Sequence, residues 1–279
     1  MSRPNSSAAV VCNPLLDVRR RPDHPSEMRS QLILGEVVDV LGEAAGGRWI
    51  RVRNRADGYA GWARAWGLVR TTTVRAGRWL EAARFKVTEP EVALRGSAGS
   101  RVATLFLGSR VIAGQPRSGR RAIELPDGRR GSLPARSVAP IAGRAPSMIE
   151  RVRSLMGSPY LWGGRSPAGL DCSAFTQLVL AEQGVQLPRD ARDQIELCRP
   201  LARRERGRLG DLVFFGTIAR RGAHVGLYLG DGYYAHSRGR VMVSSLDSDN
   251  ILCDNELNAQ YRGLGRPDTH WRPKPRKSP

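Results

Sequence analysis

Gly169-Leu170-Asp171-Cys172-Ser173-Ala174-Phe175, followed by Leu178-Val179, is the stretch whose reading decides the fold. Ala174, Phe175, Leu178 and Val179 share one helical face, so a helix begins at about Cys172. Asp171 or a neighbour can cap it. Cys172 then falls in the first turn, where unpaired backbone N–H groups and the macrodipole favour an anion. The expectation is a thiol of lowered pKa, because a nucleophile near neutral pH needs its thiolate. Upstream, Gly163-Gly164 in Tyr160-Leu161-Trp162-Gly163-Gly164 permits a tight turn.

A nucleophilic cysteine needs a base, and the chain has 4 histidines. His24 lies in a Pro-rich loop and His270 in the tail. His224 opens the run His224-Val225-Gly226-Leu227-Tyr228-Leu229, and His236 closes Tyr233-Tyr234-Ala235-His236. With Gly230-Asp231-Gly232 as the hairpin connection, Leu229 faces Tyr233 and His224 faces Arg238. His236 then lies one diagonal step from His224 on the same face. One imidazole can take the thiol proton while the other orients it. Two histidines on one face also suit a metal, but no third ligand stands at a suitable spacing, so no metal and no organic cofactor is expected. Cys12, Cys198 and Cys253 lack such surroundings and read as structural. No two cysteines form a CxxC pair, which points to free thiols in a reducing cytoplasm.

Towards the N-terminus the chain repeats itself. Leu32-Ile33-Leu34-Gly35 recurs as Leu105-Phe106-Leu107-Gly108, and Asp57-Gly58-Tyr59-Ala60-Gly61 as Asp127-Gly128-Arg129-Arg130-Gly131. Each copy carries a strand-like run, Trp49-Ile50-Arg51-Val52 or Ala122-Ile123-Glu124-Leu125, before an Asp-Gly turn that suits a hairpin. Such spacing suggests a small β-barrel of roughly 60–70 residues per copy. After Pro140 the composition changes. Ala142 to Pro146 reads as a linker. Met148-Ile149, Val152 and Leu155-Met156 recur at helical spacing until Gly157-Ser158-Pro159, and an α+β domain follows.

The 45 basic and 26 acidic residues give a formal net charge of +19, and all the basic ones are arginine except Lys86, Lys274 and Lys277. They occur in every segment and form no single stripe, and no nucleic-acid-binding module accompanies them, so no specific nucleic-acid partner is expected. Apolar stretches fall far short of the ~20 residues of a membrane-spanning helix. Met1 to Leu16 lacks the pattern of a secretory signal, which adds to the expectation of a cytoplasmic protein. A monomer with a loose, flexible basic tail after Gly265 is expected.

Residues 148–265 resemble the NlpC/P60 family of papain-like cysteine peptidases. The matching motifs, in order, are Tyr160-Leu161-Trp162-Gly163-Gly164, Leu170-Asp171-Cys172-Ser173, Leu187-Pro188-Arg189-Asp190, Gly210-Asp211-Leu212-Val213-Phe214-Phe215 and His224 to Gly230. The first copy, from Leu-x-x-Gly-Glu to Gly-Tyr-x-Gly-Trp, resembles a bacterial SH3-like domain. The second copy looks like a degenerate one, with Arg129 and Ser132 in place of Tyr59 and Trp62. The expected fold is α+β: a papain-like NlpC/P60 catalytic domain (142–279) preceded by two small SH3-like β-barrels (1–72 and 73–141).

The resemblance implies Cys172 as nucleophile, His224 as base and His236 as the polar group that orients it. The domain order is similar to that of γ-D-glutamyl-L-diamino acid endopeptidases of murein-peptide recycling. That implies a murein peptide, L-Ala-γ-D-Glu-diamino acid, with a free N-terminal L-alanine. It also implies substrate contacts from Tyr160, Asp171, Ser173 and Asp190, and from Tyr59 and Glu27 of the first barrel, Glu36 being the alternative acid. Asp190 can instead pair with Arg189 or Arg192. Ala174 stands where the family usually has Gly, and a slight tightening of the cleft is expected. The rival readings are a cell-wall amidase or acyltransferase on the same core, and a non-catalytic cell-wall binding protein.

Overall fold

The computed structural model describes residues 7–273 apart from 98, 203, 218 and 219. The chain divides between Arg144 and Ala145 into two compact units.

The first unit opens with seven strands: β1 (Ala8–Val11), β2 (Leu15–Arg19), β3 (Met28–Ile33), β4 (Val37–Ala44), β5 (Trp49–Asn54), β6 (Ala60–Arg64) and β7 (Leu68–Thr71). They form one sheet in the order β3-β2-β6-β5-β4-β1-β7. A helix, α1 (Thr73–Ala82), is capped by the Thr72 side chain. Seven more strands follow: β8 (Phe85–Val87), β9 (Glu91–Arg95), β10 (Arg101–Phe106), β11 (Arg110–Ala113), β12 (Arg120–Glu124), β13 (Arg130–Pro134) and β14 (Val138–Pro140). Their order is β10-β9-β13-β12-β11-β8-β14, the first sheet's order shifted by seven. The repeat in the sequence is thus a repeat of topology.

Each sheet wraps its own core. Leu16, Val18, Ile50 and Val52 are buried in the first, and Leu94, Leu105, Ile123 and Leu133 in the second. Burying each such side chain contributes about 1.5–3 kcal/mol. The Asp-Gly turn is built alike in both copies: Asp57 Oδ1 accepts from the Tyr59 N–H, and Asp127 Oδ1 from the Arg129 N–H. Gly61 and Gly131 sit at matching close approaches. A Cβ on Gly61 would lie 2.5 Å from Val18 and 2.9 Å from the Arg19 carbonyl, and one on Gly131 would lie 2.8 Å from Leu94 and 2.7 Å from the Arg95 carbonyl. The copies are also fastened together. Arg129, standing in the place of Tyr59, grips Asp127 at 2.7 Å and donates to the Cys12 carbonyl at 2.8 Å. Trp79 of α1 donates to the Gly35 carbonyl, and Arg110 to the Ala83 and Leu80 carbonyls.

The second unit begins with α2 (Met148–Leu155), which starts in a capping box made by Ser147 and Glu150. A two-residue pairing, β15 (Arg165–Ser166) with β16 (Gly169–Leu170), leads into α3 (Cys172–Ala181), and α4 (Ala191–Leu197) follows. Strands β17 (Arg199–Pro200), β18 (Leu212–Thr217), β19 (Arg220–Gly230), β20 (Tyr233–Arg238) and β21 (Arg240–Ser245) precede a short α5 (Asn255–Asn258) and a last strand, β22 (Tyr261–Arg266). The sheet runs β17-β22-β18-β19-β20-β21, and α3 and α4 pack on β19. Arg151 of α2 clasps Glu182 at the end of α3 through bonds of 2.7 and 2.9 Å. Both units together give the α+β class expected.

Two expectations change. The β19–β20 connection is the two-residue turn Asp231-Gly232 with positive φ at both, 49° and 82°, because Asp-Gly suits that hairpin turn. Leu229 becomes a bulge, and Gly230 rather than Leu229 faces Tyr233. The tail also begins later than Gly265. Arg266 ends β22 with bonds of 2.8 and 2.9 Å to Asp211. The part of the expected tail from 274 onward lies outside the described residues.

Candidate active site

Asp171 is the N-cap of α3, accepting from the Ala174 N–H at 2.8 Å, so Cys172 is the first helical residue. The cap is also an ion pair. Arg189 donates to Asp171 Oδ1 at 3.0 Å and to Oδ2 at 2.5 Å, and to Ser173 Oγ at 2.9 Å. The Gly163 N–H reaches Asp171 Oδ2 at 3.0 Å, and the Ser173 hydroxyl reaches Oδ1 at 3.1 Å. Both charged side chains are buried. Five donors fill this carboxylate and Arg189 neutralises it. Asp171 therefore fixes the turn at Gly163 against the start of α3. Ser173 is tied into the same knot.

Behind α3, β19 and β20 bring two imidazoles together. Their register pairs Gly226 with His236, which sets His236 diagonal to His224. His224 Nε2 lies 2.8 Å from His236 Nδ1, with the rings at 81°. His236 Nε2 lies 3.1 Å from Ser244 Oγ. The pairing leaves Nδ1 as the ring nitrogen of His224 not taken by His236. A Cβ on Gly226 would sit 3.0 Å from the Ala235 carbonyl and 3.2 Å from His236 Cβ. Opposite His224 on β18 stands Phe215, its ring centroid 5.9 Å from the imidazole.

Cys172 stands at the start of α3, which packs on β19. Burial, with Asp171 adding to it, outweighs the Val225 and Ser173 backbone and the Arg189 charge, which favour the thiolate, so the thiol is pushed up to about 12. This corrects the expectation of a lowered pKa: the cleft floor withdraws the sulfur from water by more than the helix start repays. Burial likewise holds His224 down to about 3, with His236 and Arg238 adding to it, and His236 down to about 4. The site rests as a neutral thiol beside neutral imidazoles. Tyr160 lies close enough for Cys172 and Asp171 to act on its hydroxyl, which burial chiefly drives to about 12.

The other expected residues lie as follows. Asp190 stands at the N-cap of α4 without capping it through its side chain. Ala174 is buried behind Cys172. Glu27 and Tyr59 belong to the first unit, where Glu27 pairs with Arg29 at 3.5 Å. Glu36 is built into a turn, accepting from the Ile33 N–H at 2.9 Å. Among the described residues no three His, Cys, Asp or Glu are grouped to hold a metal, and no helix is long and apolar enough to cross a membrane. The sequence reading passed over Ser244 and the pairing of Arg189 with Asp171. A polar residue at the alternating position of Val241-Met242-Val243-Ser244 was the only local sign of the former.

Residues 157–253 match the NlpC/P60 family, and residues 18–67 match the bacterial dipeptidyl-peptidase SH3 domain. The chain is 29% identical over 247 residues to the gamma-D-glutamyl-L-lysine dipeptidyl-peptidase of Bacillus subtilis (strain 168), covering 84% of this chain and 81% of that protein. It is 33% identical over 122 residues to the dipeptidyl-peptidase 6 of Lysinibacillus sphaericus, 43% of each chain. In fold it is similar to the crystal structure of an NlpC/P60 family protein from Bacillus cereus ATCC 10987, with TM-score 0.77 and 20% identity over 93% of this chain and 99% of that one.

Proposed function

Because the chain is a cysteine-type peptidase, with an NlpC/P60 domain behind a bacterial dipeptidyl-peptidase SH3 domain, we propose that it cuts the γ-D-glutamyl–L-diamino acid bond of murein-derived peptides bearing a free N-terminal L-alanine. The observation that carries this reading is the His224–His236 contact of 2.8 Å behind a cysteine at the first position of α3. The name of the relative that shares most of the chain supports the choice of bond.

Cys172 Sγ attacks the γ-carbonyl of the D-glutamyl residue as its proton passes to His224 Nδ1. Transfer during attack suits a site whose resting groups are both neutral. The backbone N–H of Cys172, at the start of α3, is aimed to meet the developing oxyanion. His224 then protonates the leaving amine of the diamino acid, and the C–N bond breaks. Water, deprotonated by His224, attacks the thioester and frees the L-alanyl-γ-D-glutamate. Throughout, His236 holds the His224 ring in place. Asp190, at the start of α4, is the carboxylate we assign to the substrate ammonium.

We place the protein in the cytoplasm as a monomer. A reducing compartment keeps Cys172 a thiol, and free Cys12, Cys172, Cys198 and Cys253 fit it. The test is mass spectrometry of the products from free and N-acetylated L-Ala-γ-D-Glu-diamino acid tripeptides, with Cys172→Ala as control. Cleavage of the free peptide between D-Glu and the diamino acid, lost in the variant, is expected. Equal turnover of the acetylated peptide rejects the free-amine preference, and turnover by Cys172→Ala rejects the mechanism.

A further inference from the structure

The segment Leu187-Pro188-Arg189 is tied down at each of its three residues. Gln177 Nε2, on α3, donates to the Leu187 carbonyl at 2.9 Å. Gln194 Nε2, on α4, donates to the Pro188 carbonyl at 2.9 Å. Arg189 reaches Asp171 and Ser173 with its own side chain. Of these ties the one from Gln194 does double duty, because the same Nε2 also donates to the Ser173 carbonyl at 3.0 Å. Two carbonyls cannot satisfy each other, and these two converge on one point. A carboxamide nitrogen is a neutral atom with two hydrogens, so it bridges them without burying a charge. Since both partners can only accept, the nitrogen must be the end that faces them. That leaves Oε1 facing the Thr176 hydroxyl, which donates to it at 2.8 Å. Gln194 and Thr176 are both fully buried.

Followed round, these bonds close a ring. The peptide unit joining Ser173 to Ala174 is held at both ends, its carbonyl by Gln194 and its N–H by Asp171 Oδ1 at 2.8 Å. Asp171 is held by Arg189. Arg189 follows Pro188 in the chain, and the Pro188 carbonyl returns to Gln194. Cys172 sits between two residues of that ring, Asp171 and Ser173. We infer that Gln194 is a positioning residue that closes a hydrogen-bonded ring around the first turn of α3, and so holds the Cys172 backbone, with its thiol and its N–H, in register with the substrate carbonyl. α4 also packs on β19, the strand that carries His224, so one short helix braces both the nucleophile's turn and the strand of its base.

The kinetic side of this inference rests on the peptidase reading, but the ring can be observed without a substrate. Gln194→Met keeps the length of the side chain and removes both hydrogens. Assayed well below its unfolding temperature, it is expected to lower kcat about tenfold to a hundredfold with KM within about twofold, the loss that a slightly misplaced reacting group brings. Val152→Ala, a buried position of α2, lowers stability elsewhere in the same unit and is expected to keep the parent's kcat. Thr176→Val is the smaller change. It removes the partner of Oε1, is expected to lower kcat several-fold, and carries the test if Gln194→Met does not fold. Residue-resolved hydrogen exchange by NMR reads the ring itself. The Gly163 and Ala174 amides are held by Asp171 and not by Gln194. In the folded ring variants they are expected to exchange about tenfold faster, the weight of one buried hydrogen bond, and in Val152→Ala no faster than global unfolding accounts for. A parent-like kcat in the folded ring variants, an equal loss of kcat in Val152→Ala, or unchanged exchange at Gly163 and Ala174 overturns the inference. If the parent cleaves no murein peptide and the exchange still quickens, the proposed substrate falls and the ring stands.

Discussion

Replacing Arg189 by Met removes a guanidinium that makes three bonds of 2.5–3.0 Å in a place where almost none of it meets water. Asp171 keeps the Gly163 and Ala174 amides and the Ser173 hydroxyl, but its charge is left buried without a counter-ion. Stripping one partner from such a pair costs about 3–5 kcal/mol. With a urea dependence of about 2 kcal/mol per molar, the unfolding midpoint of the second unit falls by about 2 M. Urea titration followed by tryptophan fluorescence and circular dichroism measures it. The Asp171→Asn, Arg189→Met double variant removes both charges and keeps a capping side chain. It is expected to regain about 1–3 kcal/mol relative to the sum of the single variants. A loss below about 1 kcal/mol in Arg189→Met, or strict additivity in the double variant, refutes the view that this pair is a desolvated, mutually dependent unit.

Acid stability follows from the histidines. Both titrate near 6.5 when exposed, and in the fold His224 is held at about 3 and His236 at about 4. The unfolded chain takes up protons first, so stability present above about pH 6.5 is lost as pH falls through 4 towards 3. His236→Gln is expected to flatten the slope of urea midpoint against pH, and an unchanged slope counts against the burial. On the alkaline side the Cys172 thiol, raised from 9.0 to about 12, makes stability fall as pH rises above about 9. Cys172→Ser is expected to blunt that fall in the same titration. Gly61→Ala and Gly131→Ala place a methyl against corresponding neighbours in the two sheets, and each is expected to cost about 1–3 kcal/mol in thermal or urea unfolding. A neutral result at either position removes that close approach from the repeat.

Local signals carried much of the fold. The Asp171 cap, the apolar face of α3 and the doubled Asp-Gly turns are short-range features, and each formed where its residues stand. The register that sets His236 diagonal to His224 followed from alternation along two strands. The turn between them was off by one residue, because a bulge at Leu229 absorbs the difference and nothing in the local sequence marks it. What could not be read was long-range. Arg189 lies next to Asp190 in sequence, and its reach to Asp171 depends on how the loop after α3 folds back. The desolvation that outweighs the helix start at Cys172 depends on β19 covering the sulfur. Ser244, eight residues beyond His236, joins the site from the neighbouring strand β21.

The short motif His224-Val225-Gly226 has a spacing role as well as a chemical one. On β19 the residue facing His236 has no side chain, and a methyl there would stand 3.0–3.2 Å from the Ala235 carbonyl, Tyr234 and His236 Cβ, so that they would have to give by a few tenths of an ångström. The gap between base and orienter is thus gauged by missing atoms. A side chain larger than a methyl at Gly226 would press the two strands apart and stretch the one contact that makes the rings a dyad, while leaving every reacting group intact. A chain carrying such a change would keep all the letters of its catalytic signature and still have its imidazoles out of step.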